Sequence, residues 1–478
     1  MRHGLAGQMV KLVGSSIAQS ITSDVDGSPA GRILMFVRRV TARRVPVFVA
    51  LSLFASLTAL SGGCAQPRET AVSKVVILGI DGLDWELVDP LLEEGKLPNL
   101  AGLVDRGTRA DLRSFETEIK SPIVWTTIAT GKGPQKHGIA DFLVGEGRKP
   151  LYNSNGWLSR PVWDILSEKG YTTGVINWMV SWPAQPVNGY NVTDRIVYSP
   201  EDGYDPVERA TYPEELADEL VPHGCPVSSV TDADIAPLLR GDEWKDDPTP
   251  AVEGALETLR ATYATDETIR NQATYLLDSR EQPDFFAVYL NGVDLMCHFF
   301  WGPMDPSSVD MQMDPALVET CSEVIPRYYQ RMDGIIGDIL ERIDDESTVI
   351  LCSDHGFRGP FRSPQGLKLG IWMHGPVGVL VAAGPGISPN AEVSDASVFD
   401  ITPTVLALFG EPVARDMDGF VMEDLISESR LLEAPVAYID TYEGGAYASR
   451  EEGGEDQPVE SAVDDEIKER LRSLGYIE

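Results

Sequence analysis

The sequence has little cysteine, little histidine and few basic residues for its size. Five cysteines occur in 478 residues, and no two of them form a Cys-X-X-Cys pair, which argues against a zinc ribbon or a redox dithiol. Lysine and arginine total 39 against 74 aspartates and glutamates, so the formal net charge is −35 at pH 7. Such a surface repels polyanions, which excludes nucleic-acid polymers as partners. A small anionic substrate would need local positive charge, and bound metal ions can supply it.

The apolar run at residues 45–60 is too short to span a membrane comfortably and has the length of a signal peptide. Four arginines precede it, and the Ser-Gly-Gly-Cys segment that follows resembles a bacterial lipoprotein processing site with Cys64 as the lipidated residue. We therefore predict an export leader over residues 1–64 and a tether over 65–73. The protein is then periplasmic, or held at a bacterial membrane by a lipid anchor. A plain signal peptide and an uncleaved anchor remain the alternatives.

From residue 74 onward, short apolar runs alternate with segments of helical character. An apolar run closed by a turn residue is typical of a buried parallel strand. Five such runs are predicted as strands: residues 75–80, 173–178, 285–290, 348–352 and 377–383. Strands separated by helices indicate an α/β fold with a doubly wound, mostly parallel sheet. Residues 74–478 are long enough for one large domain of this class with insertions.

Two stretches interrupt the alternation of strands and helices. The first is rich in Asp, Glu, Pro and Tyr, and we predict that it forms an inserted cap over about 197–280, with a helix at 265–279. A smaller excursion is predicted at about 299–318. Near the end of the chain, a last short helix is expected at 466–474. The cap is the part of the chain expected to select the substrate.

Asp81 and Ser121 give the first indications of chemistry. Asp81 directly follows the first predicted strand, and open α/β sheets bind ligands at the carboxyl ends of their strands. Ser121 is predicted as the N-cap of a helix, with Pro122 at the first helical position and Gly131 after the last. A helix N-terminus presents unpaired N–H groups and the positive end of a dipole, which suit an anion such as phosphate. The pair suggests a metal-assisted nucleophile.

Three further segments place metal-ligand residue types beside predicted strands. They contribute two aspartates and three histidines, namely Asp294, His298, Asp354, His355 and His374. Histidine together with aspartate makes the nitrogen and oxygen site that zinc accepts, and manganese or iron with less selectivity. Each residue alone has an ordinary structural explanation, such as a helix cap or a loop histidine. Their joint occurrence beside strands favours a metal centre, whereas His137 is predicted to pack or hydrogen bond near the site without binding metal.

Together these segments resemble the alkaline phosphatase superfamily, and within it the type I phosphodiesterase/nucleotide pyrophosphatase family. The resemblance spans about residues 74–410 and is carried by VVILGIDGLD, SPIVWTTIATGKGPQKHGI, DLMCH, SDHGF, MHGPVGVLVAAGPGI and DITPTVLALFG. It implies that residues 74–478 are a catalytic domain with two divalent metal ions, zinc being preferred. It implies one ion held by Asp294, His298 and His374, and a second held by Asp81, Asp354, His355 and the nucleophile oxygen.

The resemblance also implies the nucleophile. In the family this residue is a threonine ten positions before the glycine of a Thr-Gly pair, and counting back from Gly131 leads to Ser121. The serine itself and the adjacent Pro122 depart from the family pattern, so Thr126 and Thr127 remain alternatives. Coordination lowers the pKa of a hydroxyl, and two ions can serve both the attacking and the leaving oxygen of an in-line displacement. The expected intermediate is a phosphoserine, or a phosphothreonine for either alternative.

The residues that would bind the substrate phosphate are harder to identify. Pro122 has no N–H, so the amides of Ile123 and Val124 are the predicted donors to the phosphate oxygens. Nucleotide pyrophosphatases place an asparagine shortly after the His-Gly-Ile segment, where this chain reads Ala140-Asp141-Phe142. No arginine that would clamp the phosphate is recognisable, and the serine segment does not match the Cys/Ser-X-Pro-X-Arg pattern of sulfatases. The substrate-binding residues therefore remain unassigned.

The resemblance implies hydrolysis of phosphodiester or nucleotide pyrophosphate bonds in a small phosphorylated substrate. A phosphomonoesterase, a phosphonate hydrolase or a phospho-group transferase on the same scaffold is the first alternative. A catalytically inactive binding lipoprotein is the second, and it is disfavoured because all six metal-ligand residues and a hydroxyl are present.

Overall fold

The computed structural model of the chain describes residues 72–117, 119–145, 150–198, 207–309, 312–358, 373–444 and 460–477. The predicted leader, with Cys64, and all but the last two residues of the predicted tether lie outside these ranges. Among the described residues, no helix combines the length and the apolar character that crossing a membrane requires.

An eight-stranded sheet forms the centre of the protein. The strands found along the described chain are β1 (Val75–Ile80), β2 (Thr108–Arg113), β3 (Thr173–Trp178), β4 (Gly189–Thr193), β5 (Thr211–Tyr212), β6 (Phe285–Leu290), β7 (Thr348–Cys352), β8 (Gly356–Phe357), β9 (His374–Gly375), β10 (Val377–Ala383), β11 (Val413–Ala414) and β12 (Tyr438–Ile439). The order in the large sheet is β2-β10-β7-β1-β6-β3-β4-β5. All five predicted strands are confirmed, and so is the mostly parallel sheet.

The directions of the strands decide which residues share an edge. Strands β7, β1, β6, β3 and β4 run parallel, whereas β10 lies antiparallel to both of its neighbours. The start of β10 therefore lies at the same edge as the ends of β1, β6 and β7. For this reason a residue that precedes β10 can join residues that follow the other three strands.

Helices cover both faces of the sheet. They are α1 (Trp85–Glu93), α2 (Pro98–Arg106), α3 (Ser121–Thr130), α4 (Pro134–His137), α5 (Val162–Glu168), α6 (Leu216–Leu220), α7 (Asp232–Ile235), α8 (Pro250–Ser279), α9 (Gly292–Met304), α10 (Pro315–Cys321), α11 (Val324–Leu340), α12 (Ile401–Phe409), α13 (Glu428–Glu433) and α14 (Asp464–Ser473). Along β1, Val76 and Leu78 enter one apolar core and Val75 and Ile77 enter the other. A strand buried on both faces explains its continuous apolar run.

The predicted cap region contains one long helix that belongs to the core. Helix α8 starts at Pro250, fifteen residues before the predicted start, and Thr249 caps it by accepting a hydrogen bond from the Val252 N–H. Its buried side, which includes Leu259 and Ile269, contributes to one of the two apolar cores. The first half of α8 has only a weak helical pattern in the sequence, because acidic and polar residues alternate there with the apolar ones. Residues 207–249, by contrast, contain only the two-residue strand β5 and short helical segments.

Asp333, on α11, caps a helix to which it does not belong. The N-terminus of α2 has Leu97 in the N-cap position, which offers no side-chain acceptor. Asp333 Oδ1 accepts from the Leu100 N–H at 2.8 Å, and Oδ2 accepts from the Asn99 N–H at 3.2 Å. Replacing Asp333 by alanine leaves these amides without partners, so we expect the free energy of unfolding to fall by about 2 kcal/mol.

Urea denaturation measures this loss. The matched control is Asp105→Ala on the exposed side of α2, which should change the free energy of unfolding by no more than about 0.5 kcal/mol. Equal effects of the two substitutions would contradict the capping role of Asp333.

Candidate active site

The seven residues predicted to act together converge at one edge of the sheet. All seven are at most 4% exposed, namely Asp81, Ser121, Asp294, His298, Asp354, His355 and His374. The β1–β6 ladder continues to Asp81, whose N–H donates to the Leu290 carbonyl at 2.9 Å. A positive φ of 72° at Gly82 then turns the chain, and a Cβ at that position would lie 2.9 Å from the Phe357 ring. Glycine is therefore required directly after the aspartate.

Local structure fixes the remaining side chains. Asp294 and His298 lie one turn apart on α9 and so share one face of that helix. The short β8–β9 ladder pairs Phe357 with His374. It brings the imidazole rings of His355 and His374 into a stack with centroids 3.6 Å apart.

The first candidate ligand group contains Asp294, His298 and His374. The Nε2 atoms of His298 and His374 lie 2.9 Å apart. Asp294 Oδ1 lies 3.1 Å from Nε2 of His298 and 3.5 Å from Nε2 of His374. These are the three residues that the resemblance assigns to one ion.

The second candidate group contains Asp81, Asp294 and His355, with Asp354 beside it. Nε2 of His355 lies 3.2 Å from Asp81 Oδ1, 3.6 Å from Asp294 Oδ1 and 3.7 Å from Asp354 Oδ2. Asp294 Oδ1 therefore stands between the two groups, whereas the resemblance gives Asp294 to the first ion alone.

Unpartnered ligand atoms indicate that this site suits metal ions. Asp81 Oδ1, Asp294 Oδ1, Asp354 Oδ2 and His355 Nε2 are buried and have no hydrogen-bond partner among the described residues. Buried polar atoms without partners are rare and require an explanation. Three buried carboxylates and three imidazoles make a donor set of the kind that divalent ions bind. The residues present therefore fit two such ions.

Hydrogen bonds outside the two groups orient the ligand atoms. Nδ1 of His374 lies 2.8 Å from the Ile119 carbonyl, and Nδ1 of His355 lies 3.0 Å from the Gly356 carbonyl. Because a carbonyl can only accept, each Nδ1 carries a proton, so in the neutral ring Nε2 presents a lone pair to the site. Asp81 is held in a similar way.

Asp81 Oδ2 accepts from Trp125 Nε1 at 3.0 Å and from the Tyr289 hydroxyl at 2.6 Å. Its other oxygen, Oδ1, remains directed at the second ligand group. Trp125 belongs to α3, so the helix that carries Ser121 is tied directly to Asp81. Sequence reasoning missed both partners, because an aromatic residue inside an apolar segment is typical of core packing.

The pKa values of His355 and Asp354 show that the buried carboxylates of the site stabilise positive charge near them. Burial lowers the pKa of His355, but the carboxylates of Asp354 and Asp81 outweigh burial and raise it to about 10. Burial, together with the neighbouring Asp81, raises the pKa of Asp354 well above its usual range. Protons on these groups supply the positive charge that cations supply in a metal-loaded site.

Ser121 begins helix α3, one residue earlier than predicted. Lys120 occupies the N-cap position and Pro122 follows as the second helical residue. Ser121 lines the same cavity as Asp81 and Asp294.

The predicted phosphate donors are wrong. The N–H groups of Ile123 and Val124 both donate to the Lys120 carbonyl, at 2.9 and 3.1 Å. Because the helix starts at Ser121, these amides already belong to its first turn. The N–H of Ser121 itself makes no hydrogen bond among the described residues and is the donor left at this helix end.

The alternative nucleophiles are placed unfavourably. The hydroxyls of Thr126 and Thr127 donate to the carbonyls of Pro122 and Ile123, and both residues are fully buried inside α3. Thr127 Oγ1 also lies 3.2 Å from Nε2 of His137, and burial lowers the pKa of that histidine to about 3. His137 is therefore a neutral hydrogen-bonding residue, as predicted.

The cavity also contains cations that sequence reasoning did not identify. Arg195 and Arg470 both line it. Arg195 is 5% exposed and lies 3.4 Å from Asp464 and 3.8 Å from Asp194. Arg195 lies just after β4. Because ligands bind at the carboxyl ends of parallel strands, its position after this strand could have identified it as a site residue.

The position of the expected asparagine holds Asp141, whose Oδ2 lies 2.7 Å from Lys120 Nζ. Asp141 is thus paired with the residue directly before Ser121. The charge of Lys120, next to the candidate nucleophile, is balanced by this carboxylate.

Comparisons with known proteins extend these observations. A family model described as type I phosphodiesterase/nucleotide pyrophosphatase matches residues 75–362. Among curated proteins, no significant match is found. Three solved structures illustrate the similarity. A crystal structure assigned as a sulfatase from Bacteroides thetaiotaomicron shares 12% identity with a TM-score of 0.47 and covers 73% of each chain.

Human ectonucleotide pyrophosphatase/phosphodiesterase 5 shares 13% identity with a TM-score of 0.43, over 74% of this chain and 100% of that one. Phosphonoacetate hydrolase from Sinorhizobium meliloti, in complex with phosphonoformate, shares 15% identity with a TM-score of 0.36, over 63% and 60%. With its sheet, its helices and the matched motifs, the chain belongs to the type I phosphodiesterase/nucleotide pyrophosphatase family.

Proposed function

We propose that the protein is a two-metal phosphohydrolase that cleaves phosphodiester or nucleotide pyrophosphate bonds through a phosphoserine at Ser121. The observation that carries the proposal is the meeting of two buried ligand groups, with unpartnered atoms directed inward, at the cavity that Ser121 lines. When bound, divalent ions would supply the Lewis acidity that activates a hydroxyl and neutralises a leaving oxygen.

The chain's own residues account for the other requirements of the reaction. Ser121 supplies the attacking oxygen at a helix N-terminus, and its free N–H can donate to a phosphate oxygen. Trp125 and Tyr289 hold Asp81 in one orientation, which limits the reorganisation needed during turnover. Water replaces the serine oxygen on phosphorus in the second half of the reaction and regenerates the hydroxyl.

A substrate with organic groups suits the walls of the cavity. Besides the ligands, the lining includes apolar side chains such as Leu151, Met179 and Leu295, together with the cations Arg195 and Arg470. An ester substituent can pack on the apolar part while its charge meets an arginine. A second substituent on phosphorus, as in a diester, therefore has a surface to contact.

Comparing substrates tests the function directly. Protein from Cys64 onward, loaded with zinc, should hydrolyse bis-p-nitrophenyl phosphate with a higher kcat/KM than p-nitrophenyl phosphate or p-nitrophenyl sulfate. Preference for the monoester would point instead to a phosphomonoesterase, and turnover only with an added alcohol acceptor to a phospho-group transferase. Bound metal well below two ions per chain together with no turnover would indicate an inactive binding protein.

Arg195 is expected to bind the negative charge of the substrate. Replacing it by glutamine removes a guanidinium from a buried position, so we expect KM for the diester to rise about tenfold or more while metal content stays unchanged. Steady-state kinetics with metal analysis checks this. The control is Arg280→Gln, an arginine paired with Glu219 and absent from the cavity lining. An unaltered KM in Arg195→Gln would reject the role.

We further propose that the predicted leader exports the protein and that Cys64 is lipidated. Cys64→Ser should then move the protein from the membrane fraction to the supernatant of a bacterial host, without loss of activity. Retention in the membrane fraction would argue for an uncleaved anchor.

A further inference from the structure

Helix α14 and the turn after it bring the hydroxyl of Tyr476 into contact with the first ligand group. The buried residues Val463, Ile467 and Leu474 lie along one side of this segment and join the apolar core. Its N-terminal residue Asp464 pairs with Arg195. The segment is therefore packed onto the domain beside the cavity, which Ile467, Leu471 and Tyr476 line.

The helix ends in a turn that reverses the chain toward the site. Gly475 has a φ of 77°, and its N–H donates to the Arg472 carbonyl. The N–H of Tyr476 donates back to the Leu471 carbonyl at 2.9 Å. This pair of hydrogen bonds around a left-handed glycine is a Schellman motif, in which the residue after the glycine folds back along the helix. The ring of Tyr476 then packs against Phe142, with centroids 4.9 Å apart.

The hydroxyl of Tyr476 touches all three members of the first group. It lies 2.7 Å from Nε2 of His298, 3.3 Å from Nε2 of His374 and 3.1 Å from Asp294 Oδ2. The other three separations within the group are 2.9, 3.1 and 3.5 Å. Each of the four side chains thus has a polar atom within 3.5 Å of a polar atom of each of the other three.

These separations match a tetrahedral metal site. With nitrogen and oxygen ligands at about 2.0–2.1 Å from zinc, neighbouring ligand atoms of a tetrahedron lie about 3.3 Å apart. The six measured separations lie within about 0.6 Å of that value, with Asp294 contributing Oδ2 to the tyrosine contact and Oδ1 to the two histidine contacts. Asp294, His298 and His374 alone would make a three-ligand site with an open fourth position, as catalytic zinc sites have.

We propose that Tyr476 is a fourth protein ligand of the ion held by Asp294, His298 and His374. The inference rests on the proposed function only in taking a metal ion as the occupant of this group. It follows that an oxygen of the substrate or of water must compete with the phenol oxygen for the position facing the cavity. The segment after α14 would then govern access to this ion, although it lies far from the ligands along the sequence.

Metal binding to the purified full-length protein tests the proposal without any substrate. In Tyr476→Phe, which keeps the ring and its packing on Phe142, chelator competition should show an affinity for one of two zinc ions at least about tenfold weaker than in the wild type. The control is Tyr198→Phe, another tyrosine of the cavity lining, which should leave both affinities unchanged.

A spectroscopic signature gives a second, independent readout. Loaded with ferric iron, the wild-type protein and Tyr198→Phe should show the visible charge-transfer absorption of an iron phenolate, and Tyr476→Phe should lack it. Unchanged zinc affinity in Tyr476→Phe, or iron bound by the wild type without this absorption, would overturn the proposal. Both measurements are independent of turnover, so a failure of the proposed phosphodiesterase activity would not be mistaken for a failure of the ligand assignment.

Discussion

Replacing Ser121 by alanine is expected to lower kcat for bis-p-nitrophenyl phosphate by at least about 1,000-fold while both metal ions stay bound. The hydroxyl is the atom that forms the bond to phosphorus, and no neighbouring hydroxyl can replace it. Those of Thr126 and Thr127 donate to helix carbonyls and are fully buried. Because five of the six other ligand residues lie on α9 or beside and within β8 and β9, loss of one oxygen from α3 should not empty the site.

The matched control for this experiment is Thr126→Val, which removes a hydroxyl from the same helix at similar volume. We expect its kcat to stay within about fivefold of the wild type, since among the described residues Oγ1 of Thr126 bonds only the Pro122 carbonyl. Rapid-quench detection of a phosphorylated wild-type protein, absent from Ser121→Ala, would support the covalent route. Full activity in Ser121→Ala would contradict the nucleophile assignment.

The parts of the fold that depend on burial were predictable from sequence. A strand covered on both faces must be mostly apolar, and β1, β3, β6, β7 and β10 all carry that signature, with Thr173, Asn177 and Thr348 as buried polar exceptions. Strand β2 escaped prediction because it lies at the edge of the sheet, where buried and exposed residues alternate from Thr108 to Arg113. Its TRADLR sequence has too few apolar residues to distinguish a strand from a loop.

The meeting of the candidate ligand residues could be predicted, but the details of the site could not. Residues at the carboxyl ends of parallel strands lie at the same edge of the sheet, whatever the neighbouring residues are. The antiparallel direction of β10, which brings His374 to the others, has no local signal in the sequence. The start of α3 depends on one backbone turn at Lys120, and that turn decides which amides remain free. Contacts of Tyr476 depend on how α14 docks, which no periodicity reveals.

Losing Asp294 is expected to disturb both metal ions, whereas losing His298 should disturb one. Asp294 Oδ1 lies 3.1 Å from His298 Nε2 and 3.6 Å from His355 Nε2, so this single oxygen borders both ligand groups. In Asp294→Ala the bound zinc should fall from two ions per chain to fewer than one, and kcat should drop at least about 1,000-fold. His298→Ala should retain the ion of the second group, because Asp81, Asp354 and His355 are untouched.

Metal analysis after dialysis, combined with diesterase assays during zinc titration, separates these outcomes. Asp305→Ala, at a half-buried position one residue beyond the end of α9, is the control for a lost carboxylate and should keep both ions. Chelation of the wild-type protein should abolish turnover. Added zinc should restore turnover only when the second equivalent binds. The reason is that activation of the nucleophile and neutralisation of the leaving oxygen require different ions. An Asp294→Ala protein that still binds one ion tightly would show that this carboxylate serves the first group alone. The proximity of Asp294 Oδ1 to the second group would then contribute nothing to the affinity for the second ion.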